Sequence, residues 1–184
     1  GFVKGAVWGD INNDGLLDLY VSRLGESNLL FENSGPEKNW LFKEIASQAG
    51  VTEPLNSFPV WFWDYNNDGW EDIWVSGYEA SSGDVAMDYL GLKHNGESPR
   101  LYQNNKDGTF IDVTKQTNMD HPLLTMGSNF GDLNHDGFLD FYAGTGDPDY
   151  RSIQPNRMFL NNNGLSFDDV TFQGRFGHLQ KGHG

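Results

Sequence analysis

The chain has 184 residues, with 26 Asp and Glu against 12 Lys and Arg, a formal net charge of −14 and a pI near 4.5. That balance argues against nucleic acid, whose phosphates need a basic face, and suits metal cations or a basic partner. Without cysteine, disulfides and zinc–thiolate sites are excluded, and no run reaches the roughly 18 apolar residues of a membrane-spanning helix.

Glycine, at 23 residues, stands at nearly double its usual share of roughly 7%. Asparagine numbers 18. Both tolerate positive φ, so many tight turns are expected, and the aromatic and β-branched runs between them predict an all-β chain. In chain order, the apolar run Ala6–Trp8 leads into Asp10-Ile-Asn-Asn-Asp-Gly-Leu-Leu-Asp18, and Leu19–Val21 resumes the apolar pattern. Leu29–Asn33 and Phe42–Ile45 follow as two more short strands. The series then recurs. Val60–Phe62 precedes Asp64-Tyr-Asn-Asn-Asp-Gly-Trp-Glu-Asp72, and Ile73–Val75, Arg100–Asn104 and Phe110–Val113 follow. A third round runs through Ser128–Phe130, Asp132-Leu-Asn-His-Asp-Gly-Phe-Leu-Asp140, Phe141–Ala143, Arg157–Asn161 and Phe167–Val170. Asn104–Gly108 and Asn161–Gly164 carry the Asn/Asp-Gly signal of a hairpin turn between the last two strands.

The first aspartates of the three loops lie 54 and 68 residues apart. The variation falls mainly between the second and third strands: 21 residues separate Asp10 from Phe31, 38 separate Asp64 from Tyr102, and 27 separate Asp132 from Phe159. Four-strand repeats of this size predict a β-propeller segment of about three four-stranded blades, at 5–58, 59–126 and 127–183. The extra residues of the second unit, 81–98, form a surface insertion whose "DVAMDYLGL" allows one or two helical turns.

Each loop reads D-x-N-x-D-G-x-x-D. Oxygen donors at alternate places suit a hard cation of flexible coordination, which is calcium; magnesium would keep more water and fewer protein ligands. The side-chain donors are Asp10, Asn12 and Asp14 in the first loop, Asp64, Asn66 and Asp68 in the second, and Asp132, Asn134 and Asp136 in the third. Leu16, Trp70 and Phe138 at the seventh place can offer only a backbone carbonyl. Asp18, Asp72 and Asp140 close the shell at the ninth. An EF-hand is excluded: it needs a Glu at the twelfth place and flanking helices, whereas Val21, Val75 and Ala143 stand there between strand-like runs. One Asn-Asp-Gly cluster would read as a plain turn. Three with the same donor spacing favour a cation, and three calcium ions would cancel six of the fourteen excess negative charges.

These stretches, above all "VWGDINNDGLLDLYV", "NFGDLNHDGFLDFYA" and the unit ending "LYQNNKDGTFIDVT", resemble the FG-GAP/VCBS repeat family of integrin-α-type β-propellers, with bacterial and cartilage-acidic-protein-like members. The resemblance covers essentially the whole chain. It implies calcium in each acidic hairpin loop at the residues named above. It also implies an extracellular, periplasmic or cell-surface setting and a binding or adhesion scaffold. Two departures stand out: Trp63 replaces the glycine before the second loop, and Pro59 stands where the other units have Gly5 and Gly127.

No catalytic constellation is visible. G-x-S-x-G and H-E-x-x-H are absent. His94, His121, His135, His178 and His183 read as loop histidines, His135 at a non-ligand place of the third loop. The acidic stretches "SSGDVAMD" and "TGDPDY" read as solvated loops before sugar or partner sites, and Trp70 and Tyr150 as packing between blades before ligand stacking. Two functions are expected. The first is a calcium-braced scaffold for a protein or carbohydrate ligand. The alternative is the propeller part of a polysaccharide lyase or sugar dehydratase. From Ile45 to Asp64 and from Val113 to Asp132 the interval is 19 residues. Carried past Val170, it places the next loop about five residues beyond the end. Further blades in the same polypeptide or in neighbouring chains are therefore expected.

Overall fold

The computed structural model describes residues 1–146 and 154–179. Its strands form three four-stranded antiparallel sheets, each a simple meander. The first sheet holds β1 (Phe2–Gly9), β2 (Asp18–Leu24), β3 (Leu29–Asn33) and β4 (Phe42–Glu44). In the second are β5 (Ser57–Trp63), β6 (Asp72–Gly77), β7 (Arg100–Asn104) and β8 (Phe110–Asp112). β9 (Thr125–Gly131), β10 (Asp140–Thr145), β11 (Arg157–Asn162) and β12 (Ser166–Asp169) make the third. Every strand expected from the sequence is present.

Register follows the repeat. Asp18 pairs with Gly9, Asp72 with Trp63 and Asp140 with Gly131, so each acidic loop closes the end of its hairpin. The first strands, β1, β5 and β9, lie side by side in that order. In the second sheet a register shift falls between Ser57 and Val60, around Pro59. Proline has no N–H to give a ladder, so the departure from Gly5 and Gly127 sits at a bulge where no such bond is needed.

Side chains alternate across each sheet and bind the sheets face to face. Tyr20, Leu30 and Ile11 of the first unit meet Phe62, Ile73, Val75 and Tyr102 of the second in one core. On the second sheet's other face, Trp61, Trp63, Trp74 and Leu101 meet Phe141, Phe159 and Phe167. Trp61 and Trp74 stack at 4.1 Å between centroids, Phe141 and Phe159 at 4.9 Å, and Trp63 stacks on Phe167 at 5.6 Å. All of β6 is buried, which explains its unbroken apolar centre, Ile73-Trp-Val75.

The insertion carries α2 (Ser82–Tyr89). A capping box starts it: the Ser81 hydroxyl accepts from the Asp84 N–H (3.1 Å), and the Asp84 carboxylate accepts from the Ser81 N–H (2.8 Å). A single turn, α1 (Ala46–Ala49), ended by Gly50 at φ 80°, was not expected. Four residues are too few to show a helical period.

Core and edge aromatics should separate on substitution. Trp74 is 0% exposed and Trp8 54%. Trp74→Ala is expected to lower unfolding free energy by about 3–5 kcal/mol, and Trp8→Ala by under about 1 kcal/mol, in urea titrations.

Candidate metal centres

Three short links join first to second strands, and one network of hydrogen bonds builds all three. In the first, Asp10 accepts from the N–H groups of Asp14 (3.1 Å) and Gly15 (2.9 Å), Asn12 Oδ1 from Asp14 (3.1 Å), and Asp14 Oδ1 from Leu16 (2.8 Å). The second repeats it with Asp64, Asn66 and Asp68 serving Asp68, Gly69 and Trp70 at 2.7–3.1 Å. The third uses Asp132, Asn134 and Asp136 for Asp136, Gly137 and Phe138 at 2.9–3.1 Å. The fourth places, Asn13, Asn67 and His135, have φ of 55–61° and the sixth, Gly15, Gly69 and Gly137, 83–89°. Positive φ at the sixth is why glycine stands there in each loop.

The ninth aspartates differ from the rest. Asp18, Asp72 and Asp140 are buried. One carboxylate oxygen accepts from the second place of the loop: Ile11 (3.0 Å), Tyr65 (3.3 Å) and Leu133 (2.7 Å). The other accepts from the last residue of the third-strand motif: Asn33, Asn104 and Asn161, each at 2.8 Å. Each aspartate therefore pins its loop to its own sheet. Burial pushes the Asp18 carboxyl up to about 6 and the Asp72 carboxyl up to about 7, against the lowering effect of those N–H donors.

Neighbouring loops are tied together. Asn13 donates to the Gly69 carbonyl (3.1 Å) and Asn67 to that of Gly137 (3.0 Å). Glu71 accepts from the Asp10 N–H (2.7 Å). A Cβ on Gly9 would collide with that Glu71 carboxylate and the Phe62 ring, which accounts for glycine before the first loop. Asn104 Nδ2 reaches back to the Ile11 carbonyl (2.8 Å), and Asn161 Nδ2 to that of Tyr65 (2.8 Å). These asparagines were missed in the sequence, although every third-strand run aligned there ends on one. Glu71 carried no signal.

The donor set fits a hard cation: each loop offers side-chain carboxylate and amide oxygens and a seventh-place carbonyl, with no nitrogen or sulfur ligand. Among the described residues no three His, Asp or Glu side chains converge as a ready-made shell; the loop oxygens accept from loop N–H groups. His135 is exposed. His121 Nδ1 lies 3.0 Å from Asp88 Oδ2 on α2, and His94 Nε2 3.9 Å from Asp88 Oδ1. Buried Arg157 completes this cluster, with Nη2 2.6 Å from Asp169 Oδ2 and its guanidinium 4.5 Å from the Tyr89 ring centroid. The cluster fastens the insertion to the third sheet. Tyr150, His183 and most of "TGDPDY" lie outside the described residues.

Residues 10–75 and 82–143 match the family model described as FG-GAP-like repeat. The chain belongs to the FG-GAP repeat family. Both matched segments end three residues past a ninth-place aspartate, at Val75 and Ala143, so the acidic loop and its following strand close each match. No curated protein matches the chain.

Two outcomes follow for this FG-GAP chain. Asn104→Ala removes bonds to Ile11 and Glu71 and the acceptor for the Lys106 N–H. It should cost about 2–3 kcal/mol, against about 1 kcal/mol for Asn33→Ala, whose side chain makes only bonds within its own unit. Denaturant melts of the two variants compare them. The second outcome concerns pH, with a chelator present. An unfolded Asp titrates near 3.9, so the folded chain holds protons that the unfolded chain has released, at Asp18 from about pH 4 to 6 and at Asp72 from about pH 4 to 7. Stability should therefore fall as pH rises from 5 to 8, on the order of 3 kcal/mol; melting midpoints that climb over that range contradict it.

Proposed function

We propose that the chain is a segment of a calcium-binding β-propeller, acting as a non-catalytic binding or adhesion scaffold in an extracellular, periplasmic or cell-surface setting. The observation that carries this reading is that three loops of the same D-x-N-x-D-G-x-x-D spacing repeat one hydrogen-bond network. In that network each side chain is already folded inward over the loop. One calcium ion per loop would be held by Asp10, Asn12, Asp14, Leu16 and Asp18, by Asp64, Asn66, Asp68, Trp70 and Asp72, and by Asp132, Asn134, Asp136, Phe138 and Asp140. The ion supplies charge neutralisation among carboxylates that otherwise repel one another.

The propeller reading is supported by the stacking of the sheets and by what their outer faces leave open. On the third sheet, Asn129, Gly131, Leu133, Tyr142 and Met158 hold the places of Trp61, Trp63, Tyr65, Trp74 and Leu101 on the second, all of which are buried. Those five residues line an open cavity of about 530 Å³ instead. On the first sheet, Trp8 and Phe42, in edge contact at 6.0 Å, hold the places of buried Phe62 and Phe110, yet are 54% and 43% exposed. A further sheet of the same repeat, from the same polypeptide or a neighbouring chain, is the proposed cover for each face. The ligand is a protein or a carbohydrate.

Affinity per loop is expected near 10⁻⁴–10⁻³ M, as in extracellular modules, which matches a compartment with millimolar calcium. Millimolar calcium should raise the thermal midpoint over that in chelator, and magnesium at the same concentration should substitute poorly. Equal midpoints with calcium and with chelator would sink the calcium reading.

A further inference from the structure

We infer that Lys106 is a built-in competitor for the cation of the second loop, making that loop the weakest and most easily emptied of the three; the inference rests on the calcium reading above. Lys106 Nζ lies 3.2 Å from Asp68 Oδ2, at the fifth place of the loop. That oxygen also takes the Asn66 amide at 3.3 Å, and Asp68 Oδ1 takes the Trp70 N–H at 3.0 Å. A divalent cation using Asp68 must therefore displace the ammonium or sit beside it, and either lowers its affinity.

The lysine is rooted where it can do this. Its main chain is left-handed, φ 66°, and its N–H donates to Asn104 Oδ1 at 2.8 Å. Asn104 is itself fixed by its bonds to the Ile11 and Glu71 carbonyls. The β7–β8 turn thus delivers one positive charge to one loop. The equivalent turn of the third unit carries neutral Asn163, also left-handed at φ 54°. Among the described residues no Lys, Arg or His forms an ion pair with Asp14 or Asp136, the fifth places of the other loops. Both partners of the Lys106–Asp68 pair are partly exposed, 46% and 24%. The ammonium can therefore swing away, and the competition is graded rather than absolute.

Terbium luminescence excited through tryptophan should report on the second loop, whose seventh place is Trp70; Asp68→Ala identifies the part of the signal that belongs there. Two substitutions separate charge from shape. Lys106→Asn installs the residue of the third unit, which suits positive φ. Lys106→Arg keeps the charge. At low ionic strength Lys106→Asn should tighten second-loop binding of terbium and of calcium roughly three- to tenfold. Lys106→Arg should stay within about twofold of the native chain, and calorimetric calcium titration should find the first and third loops unmoved in both. An unchanged second-loop affinity in Lys106→Asn, or equal tightening in Lys106→Arg, overturns the inference. A native chain whose loops take up neither ion overturns the calcium reading and this inference with it, a result distinct from loops that bind while ignoring residue 106.

Discussion

The structure hangs on three buried carboxylates. Asp18, Asp72 and Asp140 each sit where an apolar residue would cost nothing in solvation, and each is tolerated because both of its oxygens are claimed by N–H groups. One bond goes to the loop and one to the third-strand motif, so a single side chain joins three pieces of backbone. Remove that joint and the loop loses its seat, the third strand loses a register mark, and an unpaired N–H is left buried on each side. The apolar layers between sheets supply most of the stabilisation, but they are not specific to position. The aspartates decide which residue of each hairpin stands at its tip.

The asparagines at the ends of the third-strand runs extend the same logic from one sheet to the next. Asn104 and Asn161 use one amide group to hold a carbonyl of their own unit and a carbonyl of the preceding loop. The loops therefore form a row rather than three separate decorations, with Asn13 and Asn67 adding a second line of bonds along it. Aromatic layers fill the space behind the row. Trp61, Trp63 and Trp74 on one face of the middle sheet need large partners, and the third sheet offers Phe141, Phe159 and Phe167. The Trp63 that breaks the glycine pattern before the second loop is part of that layer, stacked on Phe167.

The sequence displayed the strands and the loop donors because both follow short periods. The run Arg100–Asn104 coincides with β7 and Leu29–Asn33 with β3, since alternating side chains and bounding turn residues mark a strand locally. The nine-residue spacing likewise showed every inward-folded Asp and Asn. What stayed hidden depends on partners far along the chain. Nothing near Glu71 announces that it will accept from Asp10. Arg157 opens a strand motif like any surface arginine, yet it is buried against Asp169 and Tyr89. The helix of the insertion was visible in outline, because "DVAMDYLGL" allows one or two helical turns; the Ser81–Asp84 box that starts it emerges only in the fold. The turn α1 was not, because its place is set by the packing of Ala46 and Ala49 into the first core.

The backward reach of Asn104 has a consequence for how the chain is made. The Ile11 carbonyl waits for a donor 93 residues later, and the Tyr65 carbonyl for one 96 residues later. A chain leaving the ribosome from its N-terminus therefore presents the first and second acidic loops before the asparagines that complete them exist. The first and second units are each completed by a side chain of the unit that follows, so these contacts are long-range and close late in synthesis. An ion that occupied the loop during that interval would hold the tip in shape until its asparagine arrived.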